Sequence, residues 1–177
     1  MSLVFLLGGA RSGKSALALQ LARDAAAPVT VIATAEARDD EMAERIRLHR
    51  AQRPADWDVV EEPLELERVL DDVGEERTLV IDCVSLWIAN LLERGESDDQ
   101  LEQRAKALAG RAARRPALTV AVSNEVGLGV VPPTPLGRRY RDVLGRVNTV
   151  WASAADEAAF LIAGRALRLE SLETFVP

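Results

Sequence analysis

The run Gly8-Gly9-Ala10-Arg11-Ser12-Gly13-Lys14-Ser15 constrains this chain more than any other stretch. It has the spacing G-x-x-x-x-G-K-[ST], and it follows the apolar run Leu3-Val4-Phe5-Leu6-Leu7. A short apolar run closed by two glycines reads as a buried strand. Ser15 to about Ala25 is rich in Ala and Leu and reads as a helix. A glycine-rich turn between strand and helix directs backbone N–H groups and the helix N-terminus at an anion. Gly8, Gly9 and Gly13 let the chain curl without Cβ clashes, and Ala10, Arg11 and Ser12 complete the cradle. Lys14 brings a point charge to the β- and γ-phosphates, and Ser15 offers a hydroxyl to Mg²⁺. The loop therefore predicts a nucleoside triphosphate ligand.

The rest of the chain extends this unit. Val29 to Ala33, Thr78 to Ile81 and Leu118 to Val122 read as further strands. Helices are expected over about Asp39–Arg50, Leu64–Val73, Leu86–Leu92, Asp98–Arg114 and Arg138–Ala155. Ala158–Ile162 and Ala166–Leu169 read as two closing strands with a turn at Gly164-Arg165. Apolar strands alternating with helices predict an α/β fold: a P-loop NTPase-like, mostly parallel sheet flanked by helices, with a C-terminal strand pair. Without a repeat or a linker, residues 1–177 are expected to form one domain. In such sheets ligands bind beyond the C-terminal strand ends. The Gly8 loop, Thr34, Asp82 and Asn124 each follow a strand.

Charge and cysteine content exclude some functions. The formal net charge of −6 argues against sequence-independent nucleic-acid binding, which needs a basic face. Only Lys14 and Lys106 are lysines, the other basic residues being arginines. The single cysteine, Cys83, makes no internal disulfide and points to a reducing cytoplasm. Leu3–Leu7 is too short for a signal-peptide core or a membrane span.

Several positions carry candidate chemistry. Asp82 closes an apolar strand downstream of the loop, where an acid holds Mg²⁺ or its water. His49, the chain's one histidine, shares a helix face with Met42 and Ile46. An imidazole there, with Arg45, Arg50 and Arg53 nearby, could attack an activated phosphorus. Spacing alone favours the commoner reading, a packed or surface helix histidine. The loop from Asn124 to Pro135 leaves a strand at the ligand edge, so Asn124, Glu125 and Arg146 are candidates for contact with a second substrate or a neighbouring subunit. Trp87 and Cys83 read as packing residues. Neither lysine follows an asparagine, so the guanine-reading N-K-x-D of switch GTPases is absent. A small kinase or nucleotidyltransferase fits this length. A kinase of another metabolite and a nucleotide-switched binding protein remain alternatives.

The blocks along the chain resemble the bifunctional adenosylcobinamide kinase / adenosylcobinamide-phosphate guanylyltransferase family of cobalamin biosynthesis. Beyond the Gly8–Ser15 loop, they are Ile32-Ala-Thr-Ala35, Asp39-Asp-Glu-Met42, Arg45-Ile46 with His49, Arg53-Pro54 with Trp57, and Glu61-Glu-Pro63. Ser123 to Pro132, Gly145 to Asn148 and Ala154 to Glu157 follow in order. The resemblance implies phosphorylation of adenosylcobinamide, then transfer of GMP from GTP to the new phosphate through a GMP–histidine intermediate at His49. It implies nucleotide contacts at the Gly8–Ser15 loop, Ala33-Thr34-Ala35, the stretch from His49 through Arg50 to Arg53, Glu61 and Asp82. It implies GTP or ATP as substrate, Mg²⁺ as cofactor and a homo-oligomer.

Overall fold

Strand alternation sets the architecture, because each central strand supplies side chains to two separate cores. In β1 (Leu3–Gly8), Leu3 and Phe5 enter one core while Val4 and Leu6 enter the other. The same division holds in β4 (Thr78–Asp82), with Leu79 and Ile81 against Val80. Strands buried on both faces need helices on both. The computed structural model describes residues 2–172 and contains that arrangement.

Among the described residues there is one seven-stranded sheet, ordered β3-β2-β4-β5-β1-β6-β7. Besides β1 and β4, its strands are β2 (Val29–Ala33), β3 (Asp58–Glu61), β5 (Thr119–Asn124), β6 (Glu157–Ile162) and β7 (Arg165–Leu169). Every pairing is parallel except the antiparallel β6–β7 hairpin. The helix α1 (Lys14–Asp24) packs Ala18 and Ala22 on the Val4–Leu6 face. The opposite face is covered by α3 (Leu66–Asp72), α4 (Val84–Glu93), α5 (Asp98–Arg114) and α6 (Pro135–Ala154). There Trp151 of α6 stacks on Phe5, with ring centroids 6.2 Å apart. Trp87 is fully buried in this core, and its indole N–H donates to the Leu64 carbonyl. The expected packing role of Trp87 is thus observed.

Two differences from the sequence expectation have local causes. The strand β3 was not expected, because Asp58-Val-Val-Glu61 is short, polar at both ends and an edge strand paired on one side with β2. The helix α6 starts at Pro135 rather than Arg138. Thr134 accepts from the Gly137 N–H and Pro135 takes the first helical position, where its missing N–H costs nothing.

The start of β1 is pinned by Asp156. Its Oδ2 accepts from the Ser2 N–H at 2.7 Å and the Leu3 N–H at 3.0 Å. These two N–H groups, with the Ser2 hydroxyl, hold the carboxyl below the ordinary aspartate value of 3.8. The folded state therefore binds this proton less readily than the unfolded chain. The stabilisation is complete above the ordinary value and disappears as pH falls through the lower, folded one. Asp156→Ala is expected to cost about 1 kcal/mol at neutral pH, lowering Tm by roughly 2–4 °C. The difference between thermal melts of the two proteins should shrink as pH falls below the ordinary aspartate range; a difference that stays constant on acidification would exclude this role.

Candidate active site

The site forms where β1, β4 and β5 end side by side. Register aligns Gly8 with Asn124 and Asp82 with Val122. The turn after β1 is brought round by positive φ at Arg11 (56°) and Gly13 (105°). Lys14 and Ser15 then open α1 at the bottom of a cavity of about 230 Å³. The same cavity is lined by Ala33, Ala35, Asp82 and Asn124 from the strand ends, by Glu61, and by Met42, Arg45, Ile46 and His49 from α2 (Asp40–Ala51). The structure thus brings His49, Lys14, Ser15 and Asp82 to one cavity, and the helix face expected from the Met42–Ile46–His49 spacing is the one turned inward.

The charged groups are arranged around Asp82. Arg53 Nη2 lies 3.4 Å from Asp82 Oδ2, and His49 Nδ1 lies 3.9 Å from the same oxygen. The Arg53 side chain is only 7% exposed, so this is a sheltered cation rather than a surface arginine. Arg50, by contrast, pairs with Glu61 at the rim, and both are half exposed. Lys14 Nζ donates to the carbonyls of Gly8 (2.8 Å) and Gly9 (2.6 Å) and lies 3.3 Å from Ser12 Oγ. Burial pushes the Lys14 ammonium below its ordinary value, with the neighbouring Cys83 and Asp82 opposing. A desolvated ammonium gains from an approaching phosphate what it has lost from water.

Thr34 has a different part from the other expected contacts. Its side chain is fully buried and engaged with Cys83: the hydroxyl donates to the Cys83 carbonyl and accepts from the Cys83 N–H, both at 2.8 Å. Its own N–H donates to the Asp82 carbonyl and its carbonyl accepts from Asn90 Nδ2. Thr34 therefore fixes the β2 end against the Asp82–Cys83 corner, while Ala33 and Ala35 on either side face the cavity. The Asp82–Cys83 peptide is cis. The Cys83 thiol is buried and pushed up to about 11 by desolvation, which keeps it protonated and inert as a nucleophile.

Asn90 and Ser85 were not anticipated. Asn90 Nδ2 bridges the Thr34 and Pro63 carbonyls, and its Oδ1 accepts from Arg38. A lone amide in the mostly apolar helix α4 was the available signal. Ser85 accepts from Asn124 Nδ2 at 3.0 Å, and its carbonyl accepts from the Tyr140 hydroxyl. Arg146 lies away from these groups: it bridges Asp98 and Glu102 between α5 and α6. Its long reach is spent on a neighbouring helix.

Residues 4–169 match the model of the cobinamide kinase / cobinamide phosphate guanyltransferase family. The chain belongs to this family. A bifunctional adenosylcobalamin biosynthesis protein of Pseudomonas aeruginosa is 43% identical over 166 residues, covering 93% of this chain and 95% of that protein. Its counterpart in Escherichia coli is 36% identical over 181 residues, covering 95% and 99%. Solved structures at 14% identity share the fold alone. A KaiC-like protein of Pyrococcus horikoshii has a TM-score of 0.52, with 90% of this chain and 70% of that one covered. An ATPase of a bacterial type III secretion system has a TM-score of 0.54, with 97% and 59% covered. The chain thus shares with these structures its mostly parallel sheet flanked by helices.

The Thr34 clasp is testable. Thr34→Val keeps the side-chain volume but leaves the buried Cys83 N–H without its partner. The expected cost is about 1–3 kcal/mol, read as a lower urea midpoint with an unchanged slope. An unchanged midpoint would show that the clasp contributes nothing.

Proposed function

We propose that the protein phosphorylates the aminopropanol hydroxyl of adenosylcobinamide and then transfers GMP from GTP to the new phosphate through a GMP adduct of His49. The observation that carries this reading is the meeting of His49 with Lys14, Ser15 and Asp82 in one cavity, with His49 Nδ1 3.9 Å from Asp82 Oδ2.

The kinase step needs a clamped γ-phosphoryl group. The phosphate loop N–H groups and Lys14 would hold the triphosphate, and the substrate hydroxyl attacks the γ-phosphorus as the diphosphate leaves. Ser15 and Asp82 supply a hydroxyl and a carboxylate, the hard oxygen donors that suit Mg²⁺ when substrate phosphates and water complete its shell. Bound there, Mg²⁺ would neutralise phosphate charge.

The guanylyl transfer needs a nucleophile near the α-phosphorus. Asp82 lies on the Nδ1 side of the His49 ring, and Nε2 is the nitrogen proposed to attack. A bond forms from Nε2 to the α-phosphorus and pyrophosphate leaves. The phosphate oxygen of the acceptor then displaces histidine from the same phosphorus. Arg53 and Arg45 would offset the charge on the phosphates, while Ala33, Ala35, Arg50 and Glu61 would bound the nucleoside end.

The proposal further treats residues 1–177 as one domain of a cytoplasmic homo-oligomer. Exposed Ile162, Leu167 and Leu169 on the β6–β7 hairpin offer a face for a second copy. Among the described residues, no helix is long and apolar enough to cross a membrane.

GTP labelled at the α-phosphate tests the covalent step. Wild type with Mg²⁺ is expected to take an acid-labile, alkali-stable label. His49→Ala should take none, yet still phosphorylate adenosylcobinamide. Lys14→Ala should slow both steps by about 10²–10³-fold. A label that persists in His49→Ala would remove His49 from the mechanism. A wild type that phosphorylates the corrinoid without labelling would leave the kinase half alone.

A further inference from the structure

The nucleotide cavity is too small for the second substrate. Its volume of about 230 Å³ falls below the roughly 300–1,000 Å³ of ordinary small-ligand sites, and a corrinoid macrocycle is bulkier than a nucleotide. The acceptor hydroxyl must reach the phosphates while the ring stays outside. A surface beside the cavity mouth must therefore receive the ring, and it must suit a ligand with methyl-bearing edges and peripheral amides.

The segment 125–136 meets these conditions. It leaves the sheet at Asn124, which lines the cavity and pairs in register with Gly8 of the phosphate loop. The next N–H, of Glu125, donates to the Gly8 carbonyl at 3.1 Å. Val126 packs against the core, but Leu128 (80% exposed), Val130 (94%), Val131 (58%) and Leu136 (54%) do not. Four large apolar side chains are thus exposed within nine residues, a density that isolated surface residues do not reach. The one charged side chain between Asn124 and Leu136 is that of Glu125, whose Oε1 accepts from the Gly127 N–H.

The segment is also held in place at both ends. At the root, Asn148 Nδ2 donates to the Asn124 carbonyl, and Asn148 Oδ1 accepts from the buried Ser123 hydroxyl at 2.7 Å. At the exit, Arg138 Nη1 donates to the carbonyls of Pro132 and Pro133. Pro132 folds so closely on the first turn of α6 that a Cβ on Gly137 would lie 2.9 Å from it. An apolar loop fixed this way presents its side chains without a large ordering cost on binding.

We propose that Leu128, Val130, Val131 and Leu136 form the platform that binds the corrinoid ring of the acceptor, with Asn124 marking the passage from ring to phosphate. The proposal depends on the family reading of the substrate, but not on His49 as nucleophile. A second copy of the chain is the rival occupant of this patch.

The test uses Val130→Asp and the pair Leu128→Ser/Val131→Ser in the full chain. Equilibrium dialysis measures adenosylcobinamide binding, α-labelled GTP measures the histidine adduct, and sedimentation measures the oligomeric state. The expected result is at least a tenfold weaker corrinoid affinity and a matching rise in its KM, with labelling and assembly as in wild type. Unchanged corrinoid affinity would overturn the proposal. So would weaker binding that appears only together with dissociation of the oligomer, since the patch would then join copies. Loss of the label in these variants would assign the segment to the nucleotide instead. Wild type that binds adenosylcobinamide without labelling would refute the His49 step while leaving the platform standing. Wild type that binds none would refute the substrate reading and the platform with it.

Discussion

The close approach of Gly8 to β6 is the constraint on which the rest of the site depends. A Cβ at Gly8 would lie 2.3 Å from the Leu161 carbonyl oxygen, and the backbone there has a φ of 156°. Only glycine lets β1 end this close to β6 and still turn into the phosphate loop. The Gly8 carbonyl then accepts from both Lys14 Nζ and the Glu125 N–H. Farther round the loop, the Ser12 carbonyl accepts from the Gly164 N–H in the β6–β7 turn. Two neighbouring strands and the terminal hairpin thus fix a loop that has little side-chain bulk of its own. The outer strand β7 is exposed along its length, and the turn before it is what meets the loop.

Around this fixed loop the electrostatics are nearly balanced. Asp82 answers Arg53, lies near His49, and adds negative charge near buried Lys14. A triphosphate entering such a site meets cations already held in position, so little reorganisation accompanies binding. The neutral side chains around the charges, Ala33, Ala35 and Leu86, lower the local dielectric and make each pair count for more.

The sheet and the phosphate loop were legible because their signals are local. An apolar run, a glycine turn and a following helix define β1 to α1 from the sequence alone, and Asp82 was found by the strand it ends. Other parts were not local. Thr34 looked like a ligand contact because it follows β2, but its partner Cys83 lies 49 positions away, and no spacing rule relates them. Asn90 and Ser85 act on groups brought near by the parallel crossovers, which periodicity does not order. Arg146 was a candidate, with Asn124 and Glu125, for contact with a second substrate or a neighbouring subunit. Its distance from the cavity follows from α6 running the length of α5. The strand β3 was hidden because an edge strand with polar ends lacks the apolar length that marks the others.

The helix α2 joins these considerations. It buries no residue, unlike every other helix among those described. Its stability comes from the Asp39 cap on the Met42 N–H, the acidic first turn, the Arg47–Glu44 pair and the Arg50–Glu61 pair. Exposed pairs of this kind contribute only about 0.2–1 kcal/mol each. Detaching α2 from the strand ends would therefore cost far less than displacing α1, whose Ala18 and Ala22 lie fully buried against the sheet. The difference matches the chemistry proposed for the two helices. The phosphate loop must hold one geometry for every nucleotide, so α1 is built into the core. In the chemistry proposed, His49 meets the α-phosphorus in one step and gives up GMP to a bulky acceptor in another, and a helix held by caps and surface pairs can shift between them at small cost.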